Sequence, residues 1–235
     1  MPFRDLAGHR RLLDLTARAA VRGSLPPSLI FAGPEGTGKR LAAVALAQLF
    51  NCASPSDQPA PDACGQCTAC KRIARGVHAD VLTIEPGETG AIKVDQVRQA
   101  IERSAYRPFE GRRRIVIVDD ADAMEASAQN ALLKTLEEPP AASTFVLVTA
   151  RPDVLLPTVL SRCQRLRFGR LSPSEIAVVL MRDHGFAERE AHAAALLADG
   201  SIGRAIDGDS ESYAEAHRLR QSVVRVQARS VSPGA

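Results

Sequence analysis

The sequence predicts an α/β fold: a wound, parallel five-stranded sheet with a cysteine-rich insert, followed by a small helical domain. Three observations predict it. Five short β-branched runs, at residues 28–32, 80–84, 114–118, 144–148 and 164–168, alternate with segments of helical periodicity. The runs at 28–32, 114–118 and 144–148 are nearly continuous in apolar residues, as strands buried on both faces must be. After Phe168 the strand-like runs cease and only helical patterns remain.

The elements follow in order. The first strand runs through a Gly-rich turn into an apolar helix at 41–50. Val94, Val97, Ile101 and Ala105 recur at helical spacing. Ala128, Leu132, Leu133 and Leu136 do the same, and Glu137-Glu138-Pro139-Pro140 stops that helix. Pro152 and Pro157 bracket a turn-rich stretch before the last strand. Ser172-Pro173-Ser174-Glu175 is a capped helix start, with Ile176, Val179 and Leu180 on one face. A second helix is expected at 187–198, ending at Gly200, and a short third one after Ser201. Residues 210–229 read as one more helix, with Val223, Val224 and Val226 as its few apolar positions, and 231–235 trail off. The expected organisation is a core at 1–168 with an inserted module at about 51–75, a small helical lid domain at 169–208, and the incomplete start of a further helical region at 209–235.

Composition narrows the function classes. The chain has 235 residues, 45% hydrophobic and 24% charged, which is globular. A net charge of +3 is too small to argue for nucleic acid. With 26 Arg against 4 Lys, any one arginine is weak evidence of function, and the triplet Arg112–Arg114 reads as a solvated loop, with a phosphate patch as the alternative. Seven Phe, two Tyr and no Trp give little support for base-stacking platforms. The longest apolar stretch, 41–50, is half the roughly twenty residues that a bilayer span needs. The N-terminus lacks a secretory apolar segment, so a cytoplasmic location is expected.

Gly33-Pro34-Glu35-Gly36-Thr37-Gly38-Lys39-Arg40 lies between a strand and a helix. That is the setting in which G-x-x-x-x-G-K wraps a phosphate with backbone N–H groups, while the lysine reaches the outer phosphates. ATP, ADP or phosphate is the expected ligand. The hydroxyl that normally follows the lysine and holds Mg²⁺ is replaced by Arg40, whose guanidinium has no lone pair for a metal. The partner strand ends in Asp119-Asp120. Asp119 suits the metal-orienting position, but the water-polarising glutamate expected next is Asp120, one methylene shorter. Both hydrolysis-specific positions are altered while the cradle persists; a tolerated variant enzyme is the alternative.

Cys52, Cys64, Cys67 and Cys70 have the spacing C-x₁₁-C-x₂-C-x₂-C, with Gly65 at the tight turn. Four thiolates suit a closed, structural tetrahedral zinc site. An iron–sulfur cluster and unligated thiols are the alternatives; the first would want a further Cys-Pro after Cys70, where Lys71-Arg72 stands. Cys163 reads as a small buried residue.

Two further stretches carry a resemblance. Ala128-Gln129-Asn130-Ala131-Leu132-Leu133-Lys134-Thr135-Leu136-Glu137-Glu138-Pro139-Pro140 and Leu160-Ser161-Arg162-Cys163-Gln164 resemble the bacterial DNA polymerase III clamp loader. With the cysteine insert and the phosphate loop, the resemblance covers about residues 6–204. It implies an AAA+ fold of the P-loop NTPase type, with a lid and a helical collar. Its motor subunits, gamma and tau, carry Thr after the lysine and Asp-Glu in the second motif. Arg40 and Asp120 point instead to the delta' branch, which supports the motor without being a competent ATPase. The resemblance further implies that Arg162 reaches the ATP of a neighbouring gamma/tau subunit, that Arg204 of Gly200-Ser201-Ile202-Gly203-Arg204 senses phosphate in cis, and that Thr149 is a polar sensor. It implies gamma/tau and delta subunits as partners, with the sliding clamp and primed DNA reached through the complex. The competing readings are an ATP-hydrolysing gamma/tau motor and a DNA-binding zinc ribbon.

Overall fold

The computed structural model describes residues 1–57 and 60–208. In chain order the elements are α1 (Arg10–Val21), β1 (Ser28–Ala32), α2 (Lys39–Asn51), α3 (Thr68–Ala74), β2 (Val81–Ile84), α4 (Val94–Ser104), β3 (Arg114–Val118), α5 (Ala126–Glu137), β4 (Ser143–Thr149), α6 (Pro157–Leu160), β5 (Gln164–Arg167), α7 (Pro173–His184), α8 (Glu188–Leu197) and α9 (Ile202–Asp207). All five expected strands form, within a residue or so of the expected bounds. They make one sheet in the order β2-β3-β4-β1-β5, every pair parallel.

The apolar runs explain the layering. Alternate residues of a strand face opposite sides. Leu29, Phe31, Ile115, Ile117, Val146 and Val148 pack toward α1 and α2, joined by Ile73 of α3. Ile30, Ala32, Val116, Val118, Phe145 and Leu147 pack toward α4, α5 and α6. A strand covered on both faces has no solvent side, so its sequence cannot alternate. The sequence reading missed α1, α3 and the four-residue α6, whose stretch it read as turn-rich. Helix α1 is amphipathic, but only Leu13, Thr16, Ala17 and Ala20 are buried, and two alanines and a threonine leave little apolar signal. Helix α3 is seven residues long and starts at a metal-type cysteine, Cys67, rather than at a conventional cap.

The described residues divide into two compact units, one of Met1–Pro34 and Gly38–Gly169, the other of Glu35–Thr37 and residues 170–208. The second has its own core of Leu171, Ile176, Ala177, Leu180, Ala191, Ala194, Ala195, Ala198 and Ala205. Helix α7 starts as expected: the Glu175 amide donates to Ser172 Oγ at 3.3 Å, and the Ser172 amide donates to Glu175 Oε2 at 2.8 Å. It ends at Gly185, whose φ of 71° is left-handed. The helix expected at 210–229 lies outside the described residues.

One sequence expectation is corrected here. The triplet Arg112–Arg114 is a solvated loop only at its start: Arg112 is exposed, Arg113 is half-buried and Arg114 is buried in β3. Arg112 donates to the Phe50 and Cys52 carbonyls at the end of α2, and Arg113 lies over the Phe50 ring at 5.2 Å. Arg114 is buried, with Nη2 2.8 Å from Asp80 Oδ1. The fully buried Asp80 carboxylate also accepts from the amides of Phe109, Glu110 and Gly111 at 2.7, 2.9 and 2.7 Å. Burial opposes its ionisation, but the three amides and Arg114 prevail and hold its pKa below the usual carboxylate range. A depressed folded pKa adds stability that is complete above the unfolded value of about 3.9 and is lost as pH falls through the folded value. Asp80→Ala strands Arg114 without its ion partner, and is expected to cost about 3–5 kcal/mol in urea unfolding at neutral pH. The gap to wild type should narrow below about pH 4.

Candidate functional site

The carboxyl ends of parallel strands are where wound sheets bind ligands. Strand β1 delivers the chain there into the loop that begins at Gly33. The Gly33 amide donates to Thr149 O at 3.2 Å, and a Cβ at Gly33 would lie 2.0 Å from Phe168 O, so no side chain fits. The loop ends at Gly38, φ 87°, which begins the thirteen-residue α2 without a side-chain cap. Lys39 is buried and its Nζ donates to Pro34 O at 2.7 Å. Glu35, Gly36 and Thr37 belong to the other unit, in which the Ile202 amide donates to Gly36 O at 3.0 Å.

The metal corner of the loop is filled by the protein. Arg40 Nε stands 3.2 Å from Asp119 Oδ2, and the same guanidinium pairs with Glu85 at the end of β2. Burial raises the Asp119 pKa; Arg40 opposes this, and the nearby Asp120 and Glu85 add to the rise. Mg²⁺ does not fit. Its carboxylate ligand is already paired, and a guanidinium offers no lone pair in place of the missing hydroxyl. Asp120 is exposed and left-handed (φ 47°), where the chain turns out of β3.

Three other expected site residues sit on separate elements. Thr149 is fully buried, and its Oγ1 donates to Asp122 Oδ1 at 2.7 Å. Arg151 Nε donates to the other oxygen of Asp122 at 2.9 Å, and these bonds outweigh burial to lower the Asp122 pKa. Arg162 follows α6. Its Nε and Nη2 donate to Glu137 Oε2 at 3.0 and 2.9 Å, and its Nη1 donates to Thr158 O at 3.0 Å. Arg204 lies in the helical unit, where its amide donates to Ser201 Oγ at 3.3 Å and its Nη1 reaches Asp199 Oδ2 at 3.5 Å. Cys163 is only partly exposed, and burial pushes its thiol up to about 12.

Cys52, Cys64, Cys67 and Cys70 converge, with their sulfurs all within 4.8 Å of one another. The amides of Cys64, Gln66, Cys67 and Cys70 donate to cluster sulfurs at 3.2–3.5 Å, a pattern that stabilises thiolates. Burial opposes ionisation of Cys67, yet the Cys70 and Ala53 amides and the neighbouring thiols bring it down to about 6. Burial pushes Cys70 and Cys52 up. Four converging sulfurs with N–H···S support fit a closed tetrahedral site.

The sequence reading missed the partners of these residues. Glu85, Asp122 and Glu137 each hold a site residue, and Asp62 and Arg4 clasp the cysteine module. Asp62 accepts from the amides of Phe3 and Arg4, both at 2.9 Å, and the Arg4 guanidinium donates to Ala63 O and Cys64 O at 2.7 and 2.9 Å. Only Glu137 lay in a motif already singled out, where it served as a helix stop. The others come from positions far apart in sequence and carry no local signal.

Comparison with known proteins follows this geometry. The family described as "DNA polymerase III, delta subunit" matches residues 8–172. The chain is 37% identical over 166 residues to DNA polymerase III subunit delta' of Bacillus subtilis, covering 71% of this chain and 49% of that protein. It is 34% identical over 175 residues to subunit tau of the same organism, covering 74% of this chain and 30% of the relative. Against subunit delta' of Pseudomonas aeruginosa it is 42% identical over 132 residues, covering 56% and 39%. The chain thus spans half or less of these relatives' length. A solved gamma subunit-related protein from Thermotoga maritima superposes with a TM-score of 0.54 at 22% identity, covering 95% of this chain and 67% of that one. The RuvB Holliday junction branch migration motor of that organism gives 0.56 at 16% identity, covering 87% and 61%. These two likenesses show the fold, which is AAA+. The match over residues 8–172, most of the chain, shows that it belongs to the DNA polymerase III delta subunit family.

Proposed function

We propose that the chain is the delta' type of clamp-loader subunit, which helps load the sliding clamp onto primed DNA and does not itself hydrolyse ATP. The observation that carries this reading is the Arg40–Asp119 pair. A motor subunit needs a metal at that corner, and here a fixed cation stands in it. Lys39 and the loop from Gly33 to Gly38 keep a phosphate cradle, Thr149 and Arg204 are its proposed sensors, and Asp120 is too short to place an attacking water. Arg162 acts in trans on ATP held by a neighbouring gamma/tau subunit. The core at 1–168 and the lid at 169–208 are the proposed domains. Gamma/tau and delta subunits are the proposed partners, in the cytoplasm; no helix among the described residues is long and apolar enough to cross a membrane.

Zinc is the metal best suited to the four sulfurs. Cys52, Cys64, Cys67 and Cys70 would hold it as a closed structural site, where it supplies cross-linking rather than catalysis. A gamma/tau motor is the second reading, favoured by the match to the tau subunit. Steady-state ATPase of the purified chain separates the two. Turnover should fall at least about 10²-fold below a motor subunit, as misplacing reacting groups by about 1 Å already costs that much. Lys39→Ala should change nothing. Motor-like turnover that Lys39→Ala abolishes would replace the delta' reading.

A further inference from the structure

In metal-using phosphate loops, the hydroxyl after the lysine and the carboxylate ending the partner strand hold one divalent cation between them. Here the two positions hold each other. Arg40 Nε stands 3.2 Å from the buried Asp119 carboxylate, and Glu85 takes a second edge of the same guanidinium. The carboxylate that Mg²⁺ would need is already paired with Arg40, and a guanidinium offers no lone pair in place of the hydroxyl ligand. Beside this corner stand Gly38 and Lys39 of the phosphate loop. Helix α2 begins at Gly38, which has no side chain to cap its first amides. Lys39, buried beside it, donates from Nζ to Pro34 O at 2.7 Å, and a charged phosphate oxygen is a stronger acceptor than a carbonyl.

We propose that Arg40 is a built-in counter-cation, and that this loop takes the phosphates of a nucleoside diphosphate without Mg²⁺. A guanidinium has five donors. Those left over by Asp119 and Glu85 are available to a phosphate oxygen. Arg40 supplies one positive charge where Mg²⁺ supplies two, and three carboxylates (Glu85, Asp119 and Asp120) lie near it. The corner therefore balances the charge of a diphosphate better than that of a triphosphate. Mg²⁺ normally enters such sites as a complex with the nucleotide, so its removal weakens binding. In this chain its removal should not.

The proposal rests on the delta'-type reading of the loop but is tested apart from it, on the full chain alone. ADP is titrated calorimetrically in Mg²⁺ and again in EDTA, with wild type and with Arg40→Thr. Wild type should bind ADP with affinities that agree within about twofold in the two conditions, whereas Mg²⁺ should tighten ADP binding to Arg40→Thr by about tenfold or more. Position 40 is exposed on the first turn of α2, so the variant keeps the core. Electron paramagnetic resonance of Mn²⁺ gives a second readout: a bound-ion signal is expected in the Arg40→Thr complex with ADP and none in wild type. Wild-type affinity that collapses in EDTA, a bound Mn²⁺ signal in wild type, or no ADP binding by wild type would each overturn the proposal. None of these results bears on whether the chain joins other clamp-loader subunits, which partner binding reads separately.

Discussion

Stripping the metal from the cysteine module should unfold that module and release the N-terminal segment while leaving the sheet intact. Freshly purified chain is expected to contain one zinc. Zinc–thiolate sites supply on the order of 10–16 kcal/mol of apparent folding free energy, far more than a module this small can gain from burial. Its own apolar cluster consists of little more than Ala63 and the four cysteines. The consequence reaches the N-terminus, because the Phe3 and Arg4 amides are held by Asp62 and the Arg4 guanidinium by the carbonyls of Ala63 and Cys64. In hydrogen exchange, a chelator should therefore deprotect Phe3, Arg4 and the amides that donate to sulfur. Strands β1, β3 and β4 should stay protected, since their core residues lie in clusters that do not include the cysteines. Metal analysis that finds no zinc, or finds iron, would overturn the assignment. Unchanged protection of Phe3 and Arg4 after chelation would break the link to the N-terminus.

Arg162→Ala should leave fold and zinc content unchanged yet depress the ATPase of a reconstituted clamp loader. At the one ATP site it is proposed to serve, the loss should be about 10³–10⁵ in rate. In the free chain the guanidinium is engaged in cis, since Glu137 takes two of its donors and the Thr158 carbonyl a third. Magnitudes decide whether that contact obstructs a role in trans. The pair is exposed, with 31% of the arginine side chain and 60% of the glutamate accessible. Such a pair is worth about 1 kcal/mol at most. A factor of 10³ in rate corresponds to about 4 kcal/mol of transition-state stabilisation, so breaking the Glu137 pair costs little against what the arginine would supply in the transition state. Arg162→Lys should rescue poorly, because a point charge lacks the planar fork. A complex containing Arg162→Ala that assembles normally and keeps full clamp- and DNA-stimulated ATPase would show that Arg162 is a surface ion-pair residue and nothing more.

The sequence by itself determined the sheet, the phosphate loop and the metal-type cluster, because each has a local signature. Strands covered on both faces must be apolar throughout, so β1, β3 and β4 were legible as continuous runs. Glycines before a lysine at the start of a helix, and four cysteines at ligand spacing, are equally local patterns. The tertiary structure alone decided what these groups touch. Arg40 was visible as a departure from a motif, but its pairing with Asp119 requires β3 to lie where the sheet puts it, 79 positions along the chain. Asp80 and Arg114 read as a strand end and a loop arginine, yet a 2.8 Å contact between adjacent strands makes them a buried ion pair. Helix α1 was missed because its buried face is mostly alanine and threonine, residues whose burial leaves almost no periodic signal. Hydrophobic pattern is written along the chain. A charge partner is chosen across it, by which strands become neighbours, and no local stretch of sequence encodes that choice.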